Sequence, residues 1–110
     1  MAESESLQAL EKLYQCLDLN FNALFEACKT EEDRDRLRRD YVNARDNFWE
    51  ARNRVFHEND PLIASLNAEL KETQKSLEKS LADLKKISQI LGIISQAVGL
   101  ASRLITLGSV

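Results

Sequence analysis

Turn-forming residues are nearly absent from this chain, whose 110 residues hold three glycines and one proline. So few breakers argue against many short strands joined by tight turns and for a small number of long helices. Histidine occurs once, at His57, and cysteine twice, as Cys16 and Cys28. A single histidine, with no Cys-x-x-Cys pair, speaks against zinc and helical carboxylate-metal sites. The cysteines fall twelve residues apart in one helical stretch. That spacing is about 18 Å along a helix axis, too far for a disulfide, so both read as small apolar side chains. No glycine-rich phosphate loop is present. An excess of one charge sign is also missing: the net charge is −3, which favours neither nucleic acid nor another polyanion. The first forty residues are rich in Glu, Asp and Arg, so no secretory signal is visible and cytoplasmic residence is expected.

What the chain does have is period. Leu10, Leu13, Leu17, Phe21, Leu24 and Cys28 recur in steps of three and four and predict a helix over 4–28. Thr30 then offers a side-chain oxygen ahead of Glu31, Glu32 and Asp33, a strong start signal for the next helix. That second helix is expected over 31–58, with Leu37, Tyr41, Ala44, Phe48, Ala51 and Val55 as a heptad seam. It ends in HENDP, where Asp60 can cap and Pro61 occupies the first helical position.

Beyond Pro61 no breaker intervenes for more than thirty residues, and one unbroken helix over 61–107 is expected. Ile63, Leu70, Leu77, Leu84, Leu91, Val98 and Ile105 form a seven-residue ladder along it. From Ile87 the character changes, because three near-copies of one heptad follow: ISQILGI, ISQAVGL and ASRLITL. Four positions in seven are now apolar and cover roughly 160° of the helix wheel. Serine, glutamine, glycine, threonine and Arg103 share the rest. A narrow seam suits a pair of helices, whereas this width suits a helix enclosed on several sides.

Length gives these heptads their meaning. An unbroken helix over 61–107 is about 70 Å long against about 40 Å for the second, so residues 87–107 overhang by roughly 30 Å. The fold class expected is therefore all-α: an antiparallel helical hairpin or three-helix bundle in one domain. Its long, coiled-coil-like C-terminal helix is completed by oligomerisation. Ile87, Leu91, Ile94, Val98, Ala101 and Ile105 form the expected protein interface, and Ser88, Gly92, Ser95, Gly99 and Ser102 make a ridge of small residues that admits a second helix closely. A kink near Gly92, folding the end back onto its own hairpin, is the monomeric version. A membrane surface is the alternative cover. The charge-free run Ile87 to Ser102 is sixteen residues, short of the roughly twenty that a spanning helix needs, so an interfacial amphipathic helix is the better match.

Two further features need weighing. His57 stands beside Glu58 and Asp60, which could orient a general base, but no nucleophile falls near it in helical register. It reads as a solvated residue at a helix end. Arg38, Arg45 and Arg52 repeat every seven, with Trp49 on the same face, and such a stripe can bind nucleic acid or an acidic partner. Residues 31–60, however, hold nine acids against seven arginines, so salt bridges to neighbouring helices are the ordinary reading and nucleic acid is not expected. Trp49 joins the expected interface as an anchor. The whole describes a non-enzymatic interaction module with no catalytic residue, metal or cofactor. It self-associates through 87–107 and is open to another protein as adaptor, chaperone or immunity-type inhibitor.

Overall fold

A computed structural model describes residues 4–108, which form an all-α bundle of 42 × 22 × 21 Å. Helix α1 spans Glu5–Ala27, α2 Glu31–Ala51, α3 Pro61–Ser80 and α4 Ile87–Leu107, with a 3₁₀ turn at Leu84–Lys86 leading into α4. Start signals lie where the side chains allow them. The Ser4 hydroxyl accepts from the Leu7 amide, Thr30 Oγ1 accepts from the Asp33 amide at 3.1 Å, and Asp60 accepts from the Leu62 amide with Pro61 at the first turn. Each satisfies one of the amides that a helix start leaves without an intrahelical partner.

The unbroken helix over 61–107 is corrected. The chain leaves helical conformation after Ser80 and restarts at Ile87, reversing direction so that α4 runs back along α3. No glycine or proline causes the break. Asp83 supplies the local compensation: its carboxylate accepts from the Lys85 amide at 3.2 Å and its carbonyl from the Lys86 amide at 3.3 Å, while its own amide donates to Ser80. The driving force lies further along the chain. Ile87, Ile90, Leu91, Ile94, Val98, Leu100, Leu104 and Ile105 are all buried in the bundle. Each large aliphatic side chain contributes about 1.5–3 kcal/mol on full burial. A few helical hydrogen bonds, at about 1 kcal/mol each, are a small loss beside that. An overhang would keep those bonds and forfeit the burial.

Around the bundle the helices run α1, α2, α4, α3, so α4 is flanked by α2 and α3, and α2 and α3 stand at opposite corners. The expected pairing of the third helix with the second is thereby replaced: α4 fills the place between them. The interior is aliphatic, with Leu10, Leu13, Leu17 and Leu24 of α1, Leu37 and Ala44 of α2 and Ile63, Leu66, Leu70 and Leu77 of α3 facing the apolar arc of α4. The polar arc finds a partner too. Ser95 Oγ donates to Asp40 at 2.6 Å and accepts from Arg36 Nε at 3.0 Å, and Asn47 Nδ2 donates to Ser102 Oγ at 3.1 Å. Of the small-residue ridge, Ser95 and Ser102 meet α2 of the same chain, whereas Ser88 and Gly99 are exposed.

The second helix also ends earlier than its seam suggested, at Ala51 rather than near residue 58. Residues 52–60 instead close one end of the bundle. Phe56 is buried beneath that end, while Val55, expected in the seam, is 58% exposed. Arg54 Nη1 donates to the Gly108 carbonyl at 3.0 Å, satisfying an acceptor at the end of α4.

The two glycines of α4 yield a prediction that separates packing from docking. A Cβ added at Gly92 or Gly99 meets no atom within 4 Å. Neither glycine is required for a close approach within the fold, and each costs helix stability of about 1 kcal/mol relative to alanine. Gly99→Ala is expected to raise the thermal midpoint by several degrees without changing the sedimenting mass. A fall in the midpoint, or dissociation of an assembly, would mean that the glycine serves contact with a second helix.

Candidate functional site

The six heptad residues expected at an interface, Ile87, Leu91, Ile94, Val98, Ala101 and Ile105, are all buried within this chain. The overhang from which an interface was inferred is absent. Trp49, the seventh, is 48% exposed. It belongs to a feature that the heptad pattern only partly announced.

The chain has seven aromatic residues, and Phe56 alone is in the buried core. The other six lie along α1 and α2: Tyr14, Phe21 and Phe25 on the first, Tyr41, Phe48 and Trp49 on the second. Their contacts link into a strip. The Phe21 and Tyr41 rings stand 4.9 Å apart between centroids, Tyr14 meets Tyr41 at 5.9 Å and Phe48 at 5.8 Å, and Phe21 meets Phe25 at 5.8 Å. Spacing explains the placement. Tyr14 and Phe21 are seven apart, as are Tyr41 and Phe48, so each pair holds one side of its helix just outside the leucine seam.

Arginines cross this strip at the same period. The Arg38 guanidinium lies 5.0 Å from the Phe25 centroid, Arg45 lies 4.8 Å from Trp49 and Arg52 lies 6.0 Å from Phe48. These are cation–π distances, worth about 0.5–1 kcal/mol at exposed sites. The expected salt bridges to neighbouring helices do not form here. Arg38 pairs with Glu31 and Asp35, and Arg45 with Asp46, all on its own helix. Arg52 has no carboxylate within salt-bridge distance among the described residues. From Arg38 to Arg52 the strip extends about 21 Å along α2, close to four helical turns.

Tyr41 also anchors the two helices. Its hydroxyl donates to Asp18 at 2.6 Å, and this bond, reinforced by partial burial and the neighbouring Tyr14, pushes the phenol well above its usual ionisation range. Tyr41 thus keeps its proton, and with it the cross-helix bond, through the physiological range.

The residues singled out for chemistry stay apart. His57 is exposed, and neighbouring Glu58 is engaged elsewhere. Glu58 Oε1 accepts from Ser4 Oγ at 2.5 Å and from the Ser6 amide at 3.2 Å, while Oε2 accepts from Ser6 Oγ at 3.1 Å and Asn67 Nδ2 at 3.0 Å. The carboxylate is thus a clamp at the start of α1, where the helix dipole also favours it. Cys28 is buried and Cys16 half-buried, both free, and burial raises both thiols, which keeps them protonated and poorly nucleophilic. Among the described residues no group of three or more His, Cys, Asp or Glu is placed to hold a metal ion.

Compared with known protein families, curated proteins and solved structures, the chain matches none of them.

The clamp carries a pH dependence of definite sign. Partial burial pushes the Glu58 carboxyl up, but the bonds from Ser4, Ser6 and Asn67 outweigh it, and the net position is below the ordinary 4.5. A carboxylate held lower in the folded state stabilises fully above its unfolded value and loses that contribution as pH falls through the folded one. Glu58→Gln is expected to lower stability at pH 7 by about 1 kcal/mol, or roughly 4–8 °C in midpoint. The gap to wild type should narrow as pH is lowered below about 4. A gap that stays constant from neutral pH into the acid range would contradict the clamp.

Proposed function

We propose that this protein is a non-enzymatic helical interaction module that binds another protein through the aromatic and arginine strip of α1 and α2. The observation that carries this reading is the segregation of the rings. An aliphatic core leaves six of seven aromatic side chains at its edge, on one side of one helix pair, with Trp49 exposed and the other five half-buried. Tyrosine, tryptophan and arginine are the residue types that dominate binding energy at protein interfaces. Guanidinium groups held over rings lose little further side-chain freedom when they meet a partner. The partner that suits the strip presents acidic side chains interspersed with apolar ones over about four helical turns. A second copy of this chain offers the same face in reverse, and self-association is the competing occupant.

The membrane reading retains one supporting feature. Residues Leu84–Leu107 are long and apolar enough to cross a membrane by length and composition, with half of that stretch buried in the bundle. Its use at a lipid surface requires α4 to leave the core, at the cost of the burial described above. The strip needs no such opening.

Trp49 is the only tryptophan, so its emission reports the strip directly. Titration with a helical Glu/Leu-repeat peptide is expected to shift that emission saturably to the blue, and a Lys/Leu-repeat peptide of equal length to leave it unchanged. Arg45→Glu with Arg52→Glu should reverse the preference in a chain that still folds, its midpoint lowered by several degrees through the two lost cation–π contacts. Equal responses to both peptides, or none to either, would contradict the assignment. A concentration-dependent mass abolished by Trp49→Ala would move the strip to self-association.

A further inference from the structure

On the opposite side of α1 a second feature stands apart from the strip. Between α1 and α3 runs a groove of about 460 Å³, lined by Ala9, Ala68, Gln8 and Gln74 and by three lysines, Lys12, Lys71 and Lys75, against two carboxylates, Glu5 and Glu72. Gln74 is 3% exposed, and its Nε2 is the one buried side-chain nitrogen or oxygen among the described residues that lacks a hydrogen-bond partner. Leaving such a donor unpaired costs about 1–3 kcal/mol, and folded proteins rarely tolerate it without a reason. Neighbouring polar groups do not supply the reason. Asn67, about two turns earlier on α3, is engaged with Ser6 and Glu58.

The cations nearby are weakly committed. Lys71 reaches Glu5 at 3.6 Å, Lys75 reaches Glu72 at 3.8 Å and Lys12 reaches Glu78 at 3.8 Å, each pair well exposed. Exposed pairs of this length contribute about 0–1 kcal/mol and exchange readily for another carboxylate. The groove therefore combines an unpaired amide donor just beneath its surface, three lysines against two glutamates, and an apolar wall of buried Ala9 and exposed Ala68. Those are the elements that recognise a carboxylate on a small hydrophobic body.

We propose that the α1–α3 groove binds a small organic carboxylate. One carboxylate oxygen accepts from Gln74 Nε2, the ammonium groups of Lys71 and Lys75 balance its charge, and Ala9 and Ala68 receive the apolar part. Gln74 Nε2 is sealed from the groove as it stands and meets the ligand by a half-turn about its last side-chain bond, a soft torsion that exchanges it with Oε1. Nothing in this site depends on the protein-binding strip, which lies on the other side of α1.

The probe is benzoate, with benzylamine as a cation of the same size, observed through ¹H–¹⁵N spectra of the full chain. Benzoate is expected to shift the Gln74 side-chain amide and the backbone amides of Ala9 and Ala68 saturably, with a Kd on the order of 1 mM for so small a molecule. Benzylamine should leave them in place. Lys71→Gln with Lys75→Gln should weaken benzoate at least about tenfold. Gln74→Leu removes the unpaired donor and should fold with an equal or higher midpoint while losing the response at Ala9 and Ala68. Equal shifts with both probes, or none with benzoate, would overturn the proposal. So would a Gln74→Leu midpoint below wild type, which would assign the amide a partner within the fold.

Discussion

The apolar arc of α4 is the constraint from which the rest of this structure follows. Four residues in every seven from Ile87 to Leu107 are apolar, an arc too wide for a single neighbour to cover. Three helices cover it instead, and the chain gives up helical continuity between Ser80 and Ile87 to bring that about. A break that contains neither glycine nor proline is not dictated by local propensity. Burial of the large aliphatic side chains outweighs a turn of lost hydrogen bonds that Asp83 partly restores.

With α4 at the centre, the remaining features find their places. The core is filled by leucine, isoleucine and alanine, which interdigitate without the bulk or polar edges of aromatic rings. The rings are left to the α1–α2 side, where they stitch two helices together and keep exposed faces beneath three arginines. Residues 52–60 close the end at which α4 finishes and α1 begins. Arg54 holds the Gly108 carbonyl just beyond α4, and Glu58 holds the first turn of α1 together with Asn67 of α3. One loop therefore ties three helices at the point where their ends would otherwise fray. The proposed recognition uses the outer edge of the α1–α2 seam: Phe21, Phe25 and Tyr41 pack against the core while Trp49 stands exposed.

Much of this was legible in the residues themselves, and the parts that were not have physical reasons. Thr30 and Asp60–Pro61 mark helix starts because capping chemistry is local. The leucine seams of α1 and α3 are visible because burial imposes a period. The wide arc after Ile87 correctly asked for enclosure on several sides. What sequence could not show was who encloses it, because the break at residues 81–86 has no breaker and is decided by contacts distant along the chain. The strip was half-visible. Arg38, Arg45, Arg52 and Trp49 stood out by their spacing, but Phe21, Tyr41 and Phe48 were absorbed into the core seams, since a wheel does not separate the edge of a seam from its centre. The rings' adjacency to the arginine heptad was the signal that could have joined them. Gln74 carried no signal at all: its burial and its lack of a partner are properties of packing alone.

Whether α4 turns back through the bundle or extends beyond it comes down to one distance. Spin labels at Leu62→Cys and Leu107→Cys, in a chain with Cys16→Ser and Cys28→Ala and diluted with unlabelled protein, report the separation of the two ends by pulsed electron resonance. The folded-back arrangement places both at the same end of the bundle, whose cross-section is 22 × 21 Å. With the label arms added, it predicts a separation of about 30 Å or less. An unbroken helix over the same stretch would hold them about 68 Å apart. A distribution centred near that longer distance would contradict the account.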